Sequence, residues 1–484
     1  MRTRPLALVP VLMLGACSMA PAYVRPAAPV PPSWPVGDAY LAQSEAALPV
    51  VSYTEIFRDP RLQKLIGQAL ANNRDLRVAA ANVAAARAQV RVVRANQFPE
   101  IGVSGGVTYN DRSRAGSNGT GGAGSGNGAG GTGGFGNGWT YAVQGGVSSF
   151  ELDLFGKLAN ATEAQRNTAL STEAAARTVR LGLVSDLALA WATYAADRDL
   201  LRIAEATAAN AQRSVELTSA RLKGGIAPRT DLRQAQQILE TARGDLARQQ
   251  TALAQDINAI RLLVGADFDQ SLLPEGIREV NQGLAVLPAG TSSQVLLRRP
   301  DVIGAEYDLR AANADIGVAR AQLFPSISLT GLLGLASDAL SSLFTGGAFS
   351  ATAGADASWS IFNAGGKAAN VDVAKARHDA ALATYEKAIQ TAFSEVADAL
   401  ADQGTLASRL RSAESFTEAA SDTATLTEAR YEHGIDSYLD NLDAQRSLYS
   451  ARQSEVAVRL AAAANRITLY RVLGGDQGSG TGRR

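Results

Sequence analysis

The sequence predicts a mainly α-helical protein that also carries membrane β-strands, built as an internal duplication of two strands and a helical hairpin. Three observations predict this class. Two glycine turns recur at one spacing, because Gly225 and Gly434 are 209 residues apart, as are Asp231 and Asp440. Proline-free runs of helix-forming residues lead into both turns. Segments in which apolar and polar residues alternate precede both runs, and alternation is the period of a strand.

The first 16 residues have the pattern of a targeting segment. Two arginines precede the apolar stretch at 6–14, which is too short to cross a bilayer as a helix. We therefore predict a signal peptide at 1–16, followed directly by Cys17, the single cysteine of the chain. A chance cysteine is the alternative, but a lone thiol has no disulfide partner. The proline-rich residues 17–60 predict an extended tether.

The duplication divides the rest of the chain. Repeat one is predicted at 61–265 and repeat two at 300–474, with a linker at 266–299 between them and a disordered tail at 475–484. Each repeat has the order helix, strand, strand, long helix, turn, helix. The predicted strands and helical hairpins, in chain order, are strands near 99–110 and 139–150, the hairpin 158–264, strands near 325–336 and 349–362, and the hairpin 368–473.

Each predicted strand has about ten residues, the length that a tilted strand needs to cross a bilayer. In the first strand Ile101, Val103 and Val107 alternate with polar residues or glycine. A soluble hairpin with one buried face is the alternative. The export signal and the aromatic residues near strand ends, such as Trp139 and Trp359, favour the membrane.

Four strands cannot close a barrel, and an open sheet edge in hydrocarbon leaves backbone groups unpaired. The chain is therefore expected to oligomerise. Two copies would give eight strands and an interior filled by side chains, whereas three would give twelve and a lumen. The glycine-rich stretch at 116–138 between the first two strands predicts a flexible outward loop, and we favour a loop without a function of its own.

The long helices are the largest predicted elements. Residues 158–222 contain no proline and would extend about 98 Å as a helix at 1.5 Å per residue. Helices of this length do not occur inside a compact domain and indicate coiled-coil packing. The returning helix of each hairpin is about half as long, so each would cover only part of its partner.

Several motifs follow one another along the chain: LGAC, PAYVRP, a first FP strand entry, FELDLFGK, LRRPDVIGAE, a second FP strand entry, WSIFNAGGK as the echo of FELDLFGK, and RYEHGIDSYLDNLDAQRSLY. Together they resemble the outer-membrane efflux protein family, the TolC-like channels. The resemblance is strongest to the lipidated branch (NodT-type efflux lipoproteins) that serves resistance-nodulation-division (RND) pumps. It implies a homotrimer in which twelve strands form one β-barrel, continued by a long α-helical barrel into the periplasm. It also implies a covalent lipid, with palmitate, on Cys17.

By this resemblance the protein is the outer-membrane exit channel of a tripartite efflux system. Its partners would be a periplasmic adaptor (membrane fusion) protein, an inner-membrane RND transporter and outer-membrane lipid, and its cargo drugs or other small toxic compounds. A type I protein-secretion channel has the same architecture and is one alternative. A structural coiled-coil lipoprotein is another, but it leaves the amphipathic strands unexplained.

The resemblance also assigns roles at the two turns. Leu439 would narrow the pore and Asp443 would ring it with charge, and Asp440 and Asp231 would belong to the same gate. The alternative is that these acids are helix caps or first-turn residues. The residues expected to dock partners at the turns are Gly224, Gly225, Pro228, Arg229, Gly434, Asp436 and Tyr438.

Other functional classes find little support in the sequence. The 46 basic and 46 acidic residues balance, so there is no basic excess for nucleic acid. His378 and His433 lack metal-ligand spacing, and the glycine run has no phosphate-binding motif. We therefore expect no enzyme, no metal and no cofactor beyond the lipid.

Overall fold

A computed structural model describes residues 18–40, 52–110, 138–285 and 293–475. Three predictions lie wholly or largely outside the described residues: the signal peptide with the lipid on Cys17, the loop at 116–138, and the tail beyond 475. No helix within the four described ranges is both long and apolar enough to cross a bilayer.

The predicted duplication is present in the fold. Its helices are α1 Tyr53–Ile56, α2 Pro60–Asn72, α3 Arg74–Ala95, α4 Lys157–Lys223, α5 Arg229–Val264, α6 Ile277–Gly283, α7 Pro300–Ala321, α8 Gly366–Glu432 and α9 Tyr438–Val472. Its strands are β1 Gly102–Asn110, β2 Gly138–Leu152, β3 Ser326–Ser337 and β4 Phe349–Ser358. Helices α4 and α8 have 67 residues each, while the returning helices α5 and α9 have 36 and 35.

The first helix of repeat one differs from the prediction, because it breaks at Asn73 instead of continuing to the strand. Asn73 leaves the helical conformation with ψ 137°. Its side-chain oxygen accepts hydrogen bonds from the backbone N–H groups of Asp75, at 2.8 Å, and Leu76, at 3.1 Å. Asn73 thus ends α2 and caps the N-terminus of α3, a local alternative that asparagine offers to a continuous helix.

The chain forms two compact units. The first contains the described parts of 1–25, 85–170 and 307–382, and the second those of 26–84, 171–306 and 383–484. The strands all belong to the first unit. They form one antiparallel sheet in the order β1-β2-β3-β4.

The register of this sheet collects apolar residues on one face. Val143 in β2 lies beside Gly105 in β1 and Leu335 in β3, and Leu335 lies beside Phe349 in β4. A bulge between Val147 and Phe150 shifts the parity of β2. Because of this shift the even-numbered Phe150 pairs with Leu329 and joins the apolar face, an effect that alternation alone does not predict.

The opposite face of the sheet is polar, and both edges are open in the part of the chain that the structure describes. Ser104, Gln144 and Ser350 lie on the polar face. Among the described residues, β1 and β4 each have a single neighbouring strand. The last strand ends four residues earlier than predicted, and beyond it Trp359 donates a hydrogen bond to the carbonyl of Leu323 at 3.0 Å.

The proline-rich N-terminal segment is packed against the body over its described part, unlike a free tether. In the first unit, Ser18 donates a hydrogen bond to the side chain of Asn160 at 2.8 Å, and Asn313 donates one to the carbonyl of Pro21 at 2.8 Å. In the second unit, Trp34 is only 3% exposed and stacks on Phe393 with ring centroids 5.0 Å apart. Burial of this indole fixes the segment in place.

The second unit has an apolar core where the ends of several elements meet. Phe57 pairs with Leu284 in a strand-like bridge next to the buried Ile56, and Phe57 packs edge-on against Tyr470 with ring centroids 5.1 Å apart. Trp191 of α4 is buried and donates a hydrogen bond to the carbonyl of Leu272 at 3.0 Å.

The LRRPD motif has a structural explanation in the second unit. The buried Arg299 donates to the carbonyl of Val472 at 3.0 Å and to the carboxylates of Asp301 and Glu395, each at 2.7 Å. Pro300 is the first residue of α7. The backbone N–H at this position has no partner within the helix, so proline loses no hydrogen bond there. Arg299 therefore joins the start of α7 to α8 and to the end of α9.

Candidate functional site at the hairpin turns

The two helical hairpins reverse through the same backbone motif. Gly225 and Gly434 adopt left-handed φ values of 73° and 75°. In each turn the following isoleucine N–H bonds back over the helix end, from Ile226 to the carbonyl of Arg221 at 3.0 Å and from Ile435 to that of Arg430 at 2.8 Å. These are the Schellman contacts that satisfy a helix C-terminus. Gly224 is not left-handed, so Gly225 alone supplies this conformation in the first turn.

The returning helices begin differently in the two hairpins. Helix α9 has a capping box, in which the Asp440 N–H donates to the Ser437 hydroxyl at 3.3 Å and the Ser437 N–H donates to the Asp440 carboxylate at 3.2 Å. Helix α5 has Pro228 at its cap and no side-chain cap. Asp231 lies in its first turn, where a carboxylate interacts favourably with the helix dipole. Asp440 is thus the N3 partner of the Ser437 cap in α9, and Asp231 is a first-turn acid of α5.

Leu439 and Asp443 present a different face of α9. They lie four residues apart, which places them on one side of the helix. Leu439 is 54% exposed and Asp443 is also exposed. Asp443 forms no hydrogen bond or ion pair with any residue that the structure describes, so local structure assigns it no role.

Equivalent arginines in the two repeats have different partners. Arg221 reaches from the first turn to the second, donates to the carbonyls of Tyr431 and Glu432 at 2.9 Å each, and lies over the Tyr431 ring at 4.3 Å. Arg430, at the same place in the second repeat, pairs with Asp436 within its own turn at 2.7 Å. The hydrogen bond from Arg430 lowers the pKa of Asp436. Of these two arginines, only Arg221 connects one hairpin to the other.

Tyr438, which the sequence places among the docking residues, is instead buried. It is 5% exposed and packs with Tyr431, Leu442 and Ala235. Burial, followed by the proximity of Tyr431 and then of Asp231, raises the pKa of Tyr438 to about 12. The prediction that Tyr438 docks a partner is therefore wrong for this chain. Tyr438 is a buried contact between the two hairpins and offers no docking surface.

A second contact between the hairpins, a hydrogen bond, was not predicted from the sequence. The hydroxyl of Tyr449 in α9 donates to the carboxylate of Asp245 in α5 at 3.0 Å. Burial first, then the hydrogen bond to Asp245, raises the pKa of Tyr449 to about 12. No local motif marks this pair, because its members lie in different repeats and face each other only after the hairpins pack. Among the described residues, no group of three or more acidic, histidine or cysteine side chains is placed to hold a metal ion.

The chain matches the outer membrane efflux protein family over residues 65–266 and 291–475. The chain belongs to this family. It is 40% identical over 477 residues to the probable efflux pump outer membrane protein TtgC of Pseudomonas putida, covering 98% of this chain and 96% of that protein. It is 39% identical over 466 residues to the cation efflux system protein CusC of Escherichia coli K12, covering 96% and 97%.

A solved structure of another outer membrane channel has the same fold. It is the open state of the MtrE outer membrane channel of Neisseria gonorrhoeae, with a TM-score of 0.80, 31% identity, and 95% of this chain and 98% of that chain covered. The motif resemblance, the TolC-like fold class and the outer-membrane efflux assignment are therefore confirmed. The roles predicted for individual turn residues remain proposals.

Proposed function

We propose that this efflux family member is a homotrimeric exit channel of an RND-type tripartite system. A periplasmic adaptor and an inner-membrane transporter would deliver drugs or other small toxic compounds to it. It would carry them across the outer membrane as a passive duct, without catalysis. The names of its relatives refer to different cargoes, as in the cation efflux protein CusC, so the proposal specifies no single compound.

The open four-stranded sheet is the observation that carries this proposal. One face is apolar across all four strands, while β1 and β4 each lack a second neighbour among the described residues. Each unpaired backbone group in hydrocarbon costs several kcal/mol. Joining β1 of one copy to β4 of the next removes these edges, and three copies give twelve strands around a lumen.

The N-terminal contacts support a lipid on Cys17. Its neighbour Ser18 is hydrogen-bonded to Asn160, in the first turn of α4. Strand β2 ends at Leu152, shortly before α4 begins. A lipid on the residue preceding Ser18 would therefore lie close to the end of a membrane strand, where acyl chains can enter the bilayer.

The exposed turn residues support an acidic gate and a docking surface. Three copies of Leu439 and Asp443 would line one constriction, with Asp440 and Asp231 beside it, and a ring of carboxylates favours cations. Docking would use the exposed turn residues Gly224, Gly225, Pro228, Arg229 and Gly434, together with the partly exposed Asp436. Opening would have to separate the hairpins, which are joined by Arg221 and by Tyr449 with Asp245.

Deletion and mass measurement test the proposed function. Removing the chain from its own bacterium should raise accumulation of an efflux-pump dye, and re-expression should reverse the rise. Native mass spectrometry of the purified protein should give three copies. Unchanged dye accumulation, or a folded membrane-inserted monomer, would refute the proposal.

Loss of the Tyr449–Asp245 hydrogen bond between the hairpins should favour the open channel. Tyr449→Phe keeps the ring and removes only the hydroxyl that bonds Asp245, and such a hydrogen bond to a charged group contributes about 1.5–3 kcal/mol. We expect single-channel conductance or open probability to increase several-fold. Tyr194→Phe, on a buried tyrosine of α4 outside this contact, is the control. If both variants conduct like the native channel, the Tyr449 bond does not restrain opening.

A further inference from the structure

A cavity lies between the two helical hairpins, in the second unit. It measures about 140 Å³ and is lined by residues of α4, α5, α8 and α9. A cavity of roughly 150 Å³ in another protein interior holds a benzene molecule. The space between the hairpins is thus large enough for one six-membered ring.

The wall of the cavity contains a fully buried polar atom without a hydrogen-bond partner among the described residues. Asn441 is 5% exposed, and its side-chain oxygen is buried and has no hydrogen-bond partner among the described residues. A buried amide oxygen without a donor costs free energy, which a bound donor group recovers. The rest of the nearby wall includes Ile238, Leu442 and Leu448, which offer apolar contact.

The charged residues that line the cavity balance in number. Asp245 accepts hydrogen bonds from Tyr449 at 3.0 Å and from Arg248 at 2.8 Å. Glu428 accepts one from Gln445 at 3.4 Å. Two acidic residues and two arginines, Arg446 and Arg452, line the cavity, so it presents no net charge. An uncharged ligand fits this wall better than an ion does.

We infer that this cavity binds an uncharged, ring-sized organic molecule with one O–H or N–H donor, which bonds to the amide oxygen of Asn441. A phenol is the simplest such molecule. Because the ligand would contact both hairpins, its binding would hold them together. This effect on opening rests on the proposed channel function, whereas the binding itself does not.

Titration of the purified full-length protein with 4-fluorophenol, followed by ¹⁹F NMR, tests the site. We expect saturable binding with a dissociation constant on the order of 0.1–1 mM, the range open to so few atoms. The probe 4-fluorotoluene has a similar size but no donor, and it should bind about tenfold more weakly. Ser214→Leu, which fills the cavity, serves as the blank for partitioning into detergent.

The variant Asn441→Leu separates a specific site from general adsorption. It removes the acceptor while keeping a side chain of similar size, so the preference should reverse and 4-fluorotoluene should bind at least as well as 4-fluorophenol. Equal binding of both probes to native protein, or phenol binding that survives Ser214→Leu, would overturn the inference. So would ordered water filling the cavity in a structure determined with 4-bromophenol.

Conductance distinguishes this inference from the proposed function. The phenol should lower the open probability of native channels and leave Ser214→Leu channels unaffected. Saturable binding without any change in conductance would overturn the coupling to the hairpins. Protein that binds the phenol but never conducts would instead overturn the channel function.

Discussion

At the residue scale, one glycine in each turn determines how the chain reverses. An added Cβ at Gly225 or Gly434 would meet no atom within 4 Å. The requirement for glycine is therefore one of backbone conformation, because a left-handed φ costs other residues about 1–2 kcal/mol. The neighbouring Gly224 has no such requirement, although the sequence presents both glycines as a pair.

This difference can be measured with two adjacent substitutions. Gly225→Val should destabilise the turn by about 1–2 kcal/mol. Backbone amides at 220–230 should then exchange roughly tenfold faster by hydrogen-exchange mass spectrometry. Gly224→Val is the matched control and should change exchange much less. Equal exchange in the two variants would contradict the assignment of strain to Gly225.

Only some features of the turns can be predicted from the sequence. The turn glycines, the first-turn acids and the exposed Leu439 and Asp443 follow from helix periodicity and turn chemistry. The different partners of Arg221 and Arg430 do not, since the two residues occupy equivalent places in the repeat. Their roles diverge because only one of them faces the other hairpin after packing.

At the element scale, α4 and α5 pack with two carboxylates between them. Asp197 lies 28 residues before Gly225 and Asp256 lies 28 residues after Pro228, so counting from the turn would have placed them opposite each other. Burial, together with the charge of Asp197, raises the pKa of Asp256 to about 7. Burial raises the pKa of Asp197 as well. The pair therefore retains a proton at pH values where single carboxyl groups have lost theirs.

This pair should make hairpin stability depend on pH. Since the folded-state pKa of Asp256 is above its usual value, folding is favoured at low pH and the benefit is lost as pH rises through about 7. Between pH 5.5 and 8 the native protein should lose on the order of 1 kcal/mol. Asp256→Asn mimics the protonated form and should flatten the pH dependence of the thermal midpoint.

Asp186→Asn, on an exposed acid of α4, the helix that packs against α5 and carries Asp197, is the control for this prediction. It should keep the pH dependence of the native protein. If Asp256→Asn keeps it as well, the two carboxyl groups do not share a proton across the helix pair.

At the element scale, the strands also differ in one respect from what the sequence predicts. Alternation predicts each strand and the side chains that share a face, because the period of two is strict. It cannot predict the bulge between Val147 and Phe150, which comes from pairing with β3. An added Cβ at Gly146 would clash with the carbonyl oxygen of Gly331, so this glycine permits the close approach of the two strands.

At the scale of the whole molecule, the reason to expect an oligomer is that one chain leaves strand edges unpaired and apolar side chains exposed. Among the described residues, the sheet has an apolar face and two edges without a further strand. Helix α3 has no buried residue in the single chain, and Val78 and Val92 are exposed on it. Unpaired strand edges favour pairing with further strands, so we expect neighbouring copies of the chain to cover them. The four predicted strands indicate that the chain oligomerises. The number of three copies is implied by the family resemblance.

The proposed gate requires that Asp443 act on ions rather than on folding. Asp440 belongs to the capping box of α9, so removing it would disturb the turn as well as the charge. Asp443 has no such contact among the described residues. Its conversion to asparagine therefore changes the charge of the proposed ring with little effect on the hairpin.

Ion selectivity in planar bilayers tests the central claim most directly. The purified mature protein should form small channels that prefer cations, and Asp443→Asn should reduce the cation-to-anion permeability ratio by at least about half. Asp422→Asn, on an exposed acid of α8, is the control and should leave the ratio unchanged. Native selectivity in the Asp443→Asn channel, or no current from folded and inserted native trimers, would contradict an acidic gate at the hairpin turns.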